Sequence, residues 1–318
     1  MSEHTRDADD VTFVFAGQGS QHGLMAHALF AANPVFRDTL LALDEVACDL
    51  AGASVLAAMH DPARTRDASW DDLSMTHPAI FMVEFALARA VMAEGIVPRR
   101  VLGTSLGAFA AAAVAGVLTP EAALGATIQQ AAAIEACCEP GGMLAVLDSH
   151  RTWLPQLGRF GEVAAINFDG HFVMAAPDDG LRQMEAVLRA ANVGYQRLPV
   201  RYAFHSRWID PAQDVFLAHC RSLRLAPPRI SIVCCERGSP LEAVDAEHFW
   251  RVVRQPIRLA EAVAHISPHS SYLDLGPSGT LATFLRYILP PPHRVRAVLA
   301  RLGRDVVDLG SLRAKAAC

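Results

Sequence analysis

The sequence predicts an α/β fold in two parts, a core of alternating strands and helices with a small β-α-β-β-α-β unit inserted into it. Three observations carry this reading. Short apolar runs at 11–15 and 101–102 each lead into a glycine-containing turn and then a helical pattern, the βα alternation of a parallel sheet. Between Gly141 and Val200 the order of patterns changes to strand, helix, hairpin, helix, strand, which is the split, ferredoxin-like arrangement. Of the 318 residues, 52% are hydrophobic and 19% charged, a balance that can bury a large core and excludes a disordered chain.

Taken in order, the first ten residues are polar and are expected to be disordered. Val11–Phe15 reads as a buried strand ending in Ala16-Gly17-Gln18-Gly19-Ser20-Gln21, where two glycines allow backbone to approach a small group closely. Residues 24–50 have helical spacing interrupted at Asn33-Pro34, and 61–70 form a polar connector. A long helix, apolar on most faces, is expected from Thr76-His77-Pro78 through Ala93. Val101-Leu102 ends a strand, and residues 109–115 form a helix of small residues. Thr119 caps a helix from Pro120 to about Cys137, on which Gln129 and Gln130 need solvent or a polar partner.

Within the insert, strands at 143–147, 163–167, 172–175 and 195–200 alternate with helices at 153–160 and 181–191, the central pair joined at Asp169-Gly170. These patterns assign 11–139 and 205–318 to the core and 140–204 to the insert. Beyond it follow a strand at 230–235, a helix at 248–253 and a strand at 272–275 that enters Gly276-Pro277.

The net charge of −5 gives nucleic-acid binding no electrostatic support. No apolar run reaches the ~20 residues of a membrane span, and the start of the chain is not a basic-then-apolar leader, so no membrane association and a cytoplasmic location are expected. The seven cysteines include vicinal pairs, Cys137-Cys138 and Cys234-Cys235, that suit small buried hydrophobes better than disulfides or a metal site. Neither a metal nor a redox cofactor is expected.

The chemistry centres on Gly103-Thr104-Ser105-Leu106-Gly107. A G-x-S-x-G pattern between a strand and a helix lifts the serine hydroxyl out of the sheet on a sharp turn, making Ser105 the candidate nucleophile. The N–H of Leu106 at the following helix start, and that of Gln18 in the first glycine-rich turn, are candidate oxyanion donors. Among thirteen histidines, His205 stands where the insert rejoins the core, at a hinge where a cleft would form, and is the candidate general base.

These motifs carry a resemblance. Ala-Gly-Gln-Gly-Ser-Gln at 16–21, Thr-His-Pro-Ala at 76–79, Gly-Thr-Ser-Leu-Gly at 103–107, Gly-Gly-Met-Leu-Ala-Val at 141–146, Phe-His-Ser at 204–206, Gln-Pro-Ile at 255–257 and Leu-Gly-Pro at 275–277 resemble, in order and spacing, the malonyl-CoA:acyl-carrier-protein transacylases and polyketide-synthase acyltransferases. The resemblance implies an α/β-hydrolase-like core with a ferredoxin-like subdomain. It implies Ser105 as the acylated nucleophile, His205 as base, Gln18 and Leu106 as the oxyanion hole, Asn167 in the substrate pocket and the carbonyl of Val252 orienting the histidine.

Departures from the family pattern bear on substrate. Thr104 and Ala108 replace the usual His and Glu of the elbow, and His77 replaces the Gln before Pro. Gln130 stands where the family places the arginine that pairs with the malonyl carboxylate. Losing a bidentate pair of that kind costs about 2–3 kcal/mol, so uncharged acyl groups are expected in a pocket that includes Gln130, Asn167, Thr104, His77 and Phe204.

A relative lacking this arginine resembles the free-standing acyl hydrolases of trans-acyltransferase polyketide pathways. The resemblance implies acyl carrier protein as partner, with the substrate on phosphopantetheine or, as a second source, coenzyme A. An acyltransferase loading a neutral starter or a malonyl unit from coenzyme A onto a carrier protein, and an inactive carrier-docking module, are the alternatives. Arg99, Arg100, Arg201 and Arg207 flank the expected cleft in sequence as a candidate basic patch for an acidic carrier.

Overall fold

The computed structural model describes residues 10–61, 63, 65, 70–300 and 305–314. The predicted disorder of residues 1–10 falls outside them except for Asp10, as does most of the predicted 61–70 connector.

Among the described residues, eleven strands run β1 Val11–Phe15, β2 Arg100–Gly103, β3 Gly142–Val146, β4 Glu162–Phe168, β5 His171–Ala176, β6 Tyr195–Arg197, β7 Ser231–Cys234, β8 Ser239–Pro240, β9 Ile257–Arg258, β10 Ser271–Asp274 and β11 Arg294–Ala297. The helices before the second sheet are α1 His27–Ala32, α2 Pro34–Ala51, α3 Val55–Met59, α4 Leu73–Ala93, α5 Gly107–Val114 and α6 Pro120–Cys137. Those within and after it are α7 His150–Leu157, α8 Asp178–Ala190, α9 Gln213–Ser222, α10 Ala246–Arg254, α11 Leu259–Val263, α12 Thr280–Ile288 and α13 Ser311–Ala314.

The first sheet has the order β11-β10-β1-β2-β7-β8 and is parallel except for β8 at its edge. Its central strand β1 is buried at every position, as a run of Val, Thr and Phe between two helix layers should be. One face carries the largest core cluster, with α2, α4, α5 and α6, and the other packs on α11 and α12.

The second sheet has the order β6-β3-β5-β4-β9. β3 to β6 come from the inserted stretch in the expected strand, helix, hairpin, helix, strand order, and α7 and α8 close one face over Trp153, Leu157, Leu181 and Leu188. The fifth strand was not foreseen. Ile257 and Arg258, well beyond the insert in sequence, pair in parallel with Ala165 and Ile166 and join the two sheets.

Helix α4 begins at Leu73, three residues before the predicted start, because the Asp72 side chain caps it by accepting the Ser74 N–H at 3.1 Å. Thr76-His77-Pro78 therefore lies inside the helix. At 21 residues, with a mean hydropathy of 1.2 over an 18-residue window, α4 is long and apolar enough to cross a membrane, yet 83% of that window is buried inside the protein. It is a core helix, packed against α2, α5 and α6. Asn33 and Thr119 cap α2 and α6 as their sequence positions suggest.

Candidate active site

Ser105 sits between the end of β2 and the start of α5 with φ of 53°, a left-handed conformation costly for a residue with a Cβ. Two glycines make the turn possible by close approach. A Cβ on Gly103 would stand 2.4 Å from the Gly107 carbonyl oxygen, and one on Gly107 would stand 2.3 Å from that of Phe15. Both obstacles are backbone, so neither can move aside. Gly107→Ala is expected to lower the free energy of unfolding by about 3 kcal/mol in urea denaturation, although alanine is the better helix former by about 1 kcal/mol. An unchanged stability would remove the close-packing account of the elbow.

His205 lies 100 residues away in sequence and meets the serine directly: its Nε2 is 2.9 Å from Ser105 Oγ. Its Nδ1 is 2.7 Å from the main-chain oxygen of Gln255. Because a carbonyl only accepts, Nδ1 carries the ring proton and Nε2 presents its lone pair to the serine hydroxyl. The histidine is itself left-handed, with φ of 60°, and its N–H donates to the Val253 carbonyl at 3.1 Å.

The orienting carbonyl corrects the expectation of Val252. That residue is buried within α10, whereas Gln255 is its C-cap, turned to φ −86° and ψ 153°. Pro256 forces that extended conformation on the preceding residue and so directs the Gln255 carbonyl out of the helix toward the ring. The Gln-Pro-Ile motif held this signal, three residues beyond the position assigned.

Burial pushes the His205 pKa down to about 4; the bond to Gln255 opposes the shift and the Arg254 charge adds to it. A base in this environment is neutral throughout the physiological range. The acid limb of the acyl-enzyme formation rate is accordingly expected near pH 4, with activity retained at pH 5 to 6. A limb near the ordinary histidine value of 6.5, measured by stopped-flow acylation, would show that the ring is hydrated during turnover.

The glycine-rich turn after β1 packs against the elbow: a Cβ on Gly17 would stand 3.0 Å from the Ser105 Cβ and 3.6 Å from the Leu106 N. The N–H groups of Gln18 and Leu106 donate to no protein acceptor among the described residues. The Gln18 side chain anchors the turn by donating from Nε2 to Thr76 Oγ1 at 3.0 Å.

A cleft of about 360 Å³ opens over the serine, between the first sheet and the inner face of β3, β4 and β5. Thr104, Asn167 and Phe204 line it as expected, along with Gln18, Ser105 and His205. His171, Ile257, Leu281 and Phe284 line it too and were not singled out from sequence. Among the described residues, no Lys, Arg, Asp or Glu side chain lines it.

Gln130 and His77 do not line this cleft, a correction to their assignment as pocket residues. Both are buried behind it, with the His77 ring 5.8 Å from that of Phe204. Gln129, its neighbour on α6, is exposed. Burial pushes the His77 pKa down to about 3, opposed by the facing Gln130 amide, so this ring is no substitute for a cation. Among the described residues, neither His77 nitrogen nor Gln130 Oε1 has a partner at hydrogen-bond length.

With the geometry established, comparison with known proteins is decisive. The acyl transferase domain family matches residues 12–316. This chain belongs to that family. It is 40% identical over 286 residues to the polyketide biosynthesis acyltransferase homolog PksD of Bacillus subtilis, covering 89% of this chain and 88% of PksD. Its identity to the homolog BaeD of Bacillus velezensis is 37% over 305 residues, 94% of each chain. Among solved structures, the acyltransferase domain from the second module of the salinomycin polyketide synthase superposes with a TM-score of 0.84 at 29% identity, over 95% of this chain and 72% of that one. The recognition of acyltransferase relatives and of the mixed α/β fold therefore stands.

Two further features of this acyl transferase bear on the site. Glu84 of α4 reaches under the glycine-rich turn, its Oε1 accepting the Ala16 N–H at 2.6 Å while Oε2 has no partner. Burial raises this carboxyl well above the usual range, and raises that of nearby Asp274 to about 6, so Glu84 acts as a neutral brace. The suggested basic patch is largely neutralised. Arg100 pairs with Asp10, Arg201 with Asp71 at 3.2 Å and Arg207 with Glu162 at 2.6 Å.

Proposed function

We propose that this acyl transferase releases acetyl or other uncharged acyl groups from acyl carrier protein thioesters by hydrolysis. The observation that carries the reading is the cleft lining without a charged side chain, together with Gln130 in the place the family gives to its carboxylate-binding arginine. A malonyl carboxylate would be desolvated there without a partner, at a cost of several kcal/mol. A neutral acyl chain meets Met143, Ala145, Ala165, Val173 and Phe204 instead.

In the proposed course, Ser105 Oγ attacks the thioester carbonyl carbon as His205 Nε2 takes the hydroxyl proton. The N–H groups of Gln18 and Leu106 stabilise the oxyanion. The C–S bond then breaks, the proton on Nε2 passes to the phosphopantetheine thiolate, and the carrier departs. Water attacks the acyl-Ser105 ester, gives its proton to Nε2, and the free acid leaves as Ser105 regains that proton. We read the two sheets as an α/β-hydrolase-like core, 11–139 and 205–318, with a ferredoxin-like subdomain, 140–204, and place the reaction in the cytoplasm. The chain's residues supply every proton transfer, so no cofactor is invoked.

A second reading, favoured by the names of PksD and BaeD as acyltransferase homologs, has a second thiol take the place of water and receive a starter unit from coenzyme A or another carrier. The inactive docking module suggested by Thr104 and Ala108 has little support beside a serine and histidine held at 2.9 Å. Mass spectrometry of acetyl-loaded and malonyl-loaded carrier protein, with and without a second unloaded carrier, separates these. Free acid from acetyl and little from malonyl is expected. Acyl mass on the second carrier exceeding free acid would make the protein a transferase, and rapid malonyl turnover would overturn the neutral-substrate reading.

A further inference from the structure

We propose that Cys234, Glu236 and His248 bind a divalent transition-metal ion of the zinc class, at a site distinct from the Ser105–His205 centre. One potential ligand atom from each lies within 4.8 Å of the other two. A tetrahedral ion with bonds of about 2.0–2.3 Å needs its ligand atoms somewhat closer than 4 Å apart, so movements of roughly an ångström complete the site. Cys234 Sγ and Glu236 Oε2 already stand at 3.9 Å.

The sulfur lies where a strand enters a turn. Cys234 ends β7, and the main-chain N–H groups of Glu236 and Arg237 point at it from a turn that closes at Gly238, where φ is +67°. Cys235, on the opposite face of the strand, joins the core cluster of Val233, Leu259 and Val263 and takes no part.

His248 supplies a separate observation. It lies in the first turn of α10, 3% exposed, and its buried Nδ1 has no hydrogen-bond partner, although buried polar atoms are almost always paired. A ring held between a thiol and a carboxylate, with a buried nitrogen unsatisfied, suits an imidazole ligand. The local charges allow it. The Arg251 guanidinium hydrogen-bonds Asp245 at 2.9 Å and makes a longer ion pair with Glu236 Oε2 at 3.9 Å that a bound ion would displace, and Arg258 donates to the Glu236 carbonyl rather than to its carboxylate. One thiolate and one carboxylate offset the two positive charges of the ion, and binding releases the thiol proton to solvent. Three protein ligands leave a fourth position for water.

The ion would tie the β7–β8 turn to the start of the helix whose C-cap, Gln255, orients His205. The test uses the full-length chain, dialysed free of metal and titrated with Zn²⁺ and Co²⁺. One equivalent of Zn²⁺ per chain is expected to survive gel filtration, and Co²⁺ to give a thiolate-to-metal charge-transfer band. Cys234→Ser should abolish the band and His248→Gln should weaken Zn²⁺ binding by at least about tenfold, while Cys235→Ala leaves both unchanged. Failure of the wild-type chain to retain Zn²⁺ or give the band, or survival of the band in Cys234→Ser, would overturn the site whatever the variants do to folding.

Discussion

Ser105→Ala is expected to reduce release of acetyl from loaded carrier protein by at least about a thousandfold and to abolish the acyl-enzyme adduct seen by intact-protein mass spectrometry. The effect should be this large because the hydroxyl has no substitute within reach of His205 Nε2, and the remaining oxyanion donors hold a transition state that no longer forms by attack of the protein. Stability should move the other way or not at all. The left-handed backbone at Ser105 is as strained for alanine as for serine, and alanine leaves no hydroxyl to bury. Loss of activity with an unchanged unfolding curve would therefore report chemistry. Residual turnover above a hundredth of the wild-type rate would mean that another group, or water directly, attacks the thioester.

The second large effect is a change of substrate. The double variant His77→Gln with Gln130→Arg introduces the two residues that the family resemblance implies at these positions, and malonyl release is expected to rise about 30- to 150-fold relative to acetyl, the equivalent of a charge-assisted carboxylate pair of about 2–3 kcal/mol. Two substitutions are needed because the sites are coupled. Gln130 faces the His77 ring, and the ring packs on Phe204 at the cleft wall, so an arginine alone would be buried against imidazole with nothing to pair with. Gln130→Arg by itself should chiefly lower the thermal midpoint. If the double variant binds no malonyl, the selectivity resides in the cleft lining rather than behind it.

How far the molecule could be read beforehand follows from how local each feature is. The elbow was legible because its G-x-S-x-G pattern spans five residues and the close contact of Gly103 with Gly107 and Ala108 is local, whereas the fit of Gly107 against Phe15 is made across the sheet. The order of elements in the insert was legible from alternation and one Asp-Gly turn. Helix ends were less so, since Asp72 and Thr76 are both capping residues and only packing decides between them. The orienting carbonyl was misplaced because a main-chain oxygen leaves no side-chain signature, and only the conformation imposed by Pro256 marks it. The depth of Gln130 and His77 depends on how α4 and α6 meet, which no single segment encodes. The pairing of β9 with β4 is of the same kind, a contact across about 90 residues of chain.

That pairing limits how the cleft can breathe. Gln255 fixes the imidazole, and two residues later Ile257 is hydrogen-bonded into the sheet that roofs the acyl chain. A swing of the roof large enough to free a long acyl group would pull on the strand that ends at the histidine's anchor, misaligning the base while the site gapes. The mouth and the base thus share one short tether, and on the proposed reaction acyl groups too long to fit beneath the roof should persist on the serine as slowly released esters.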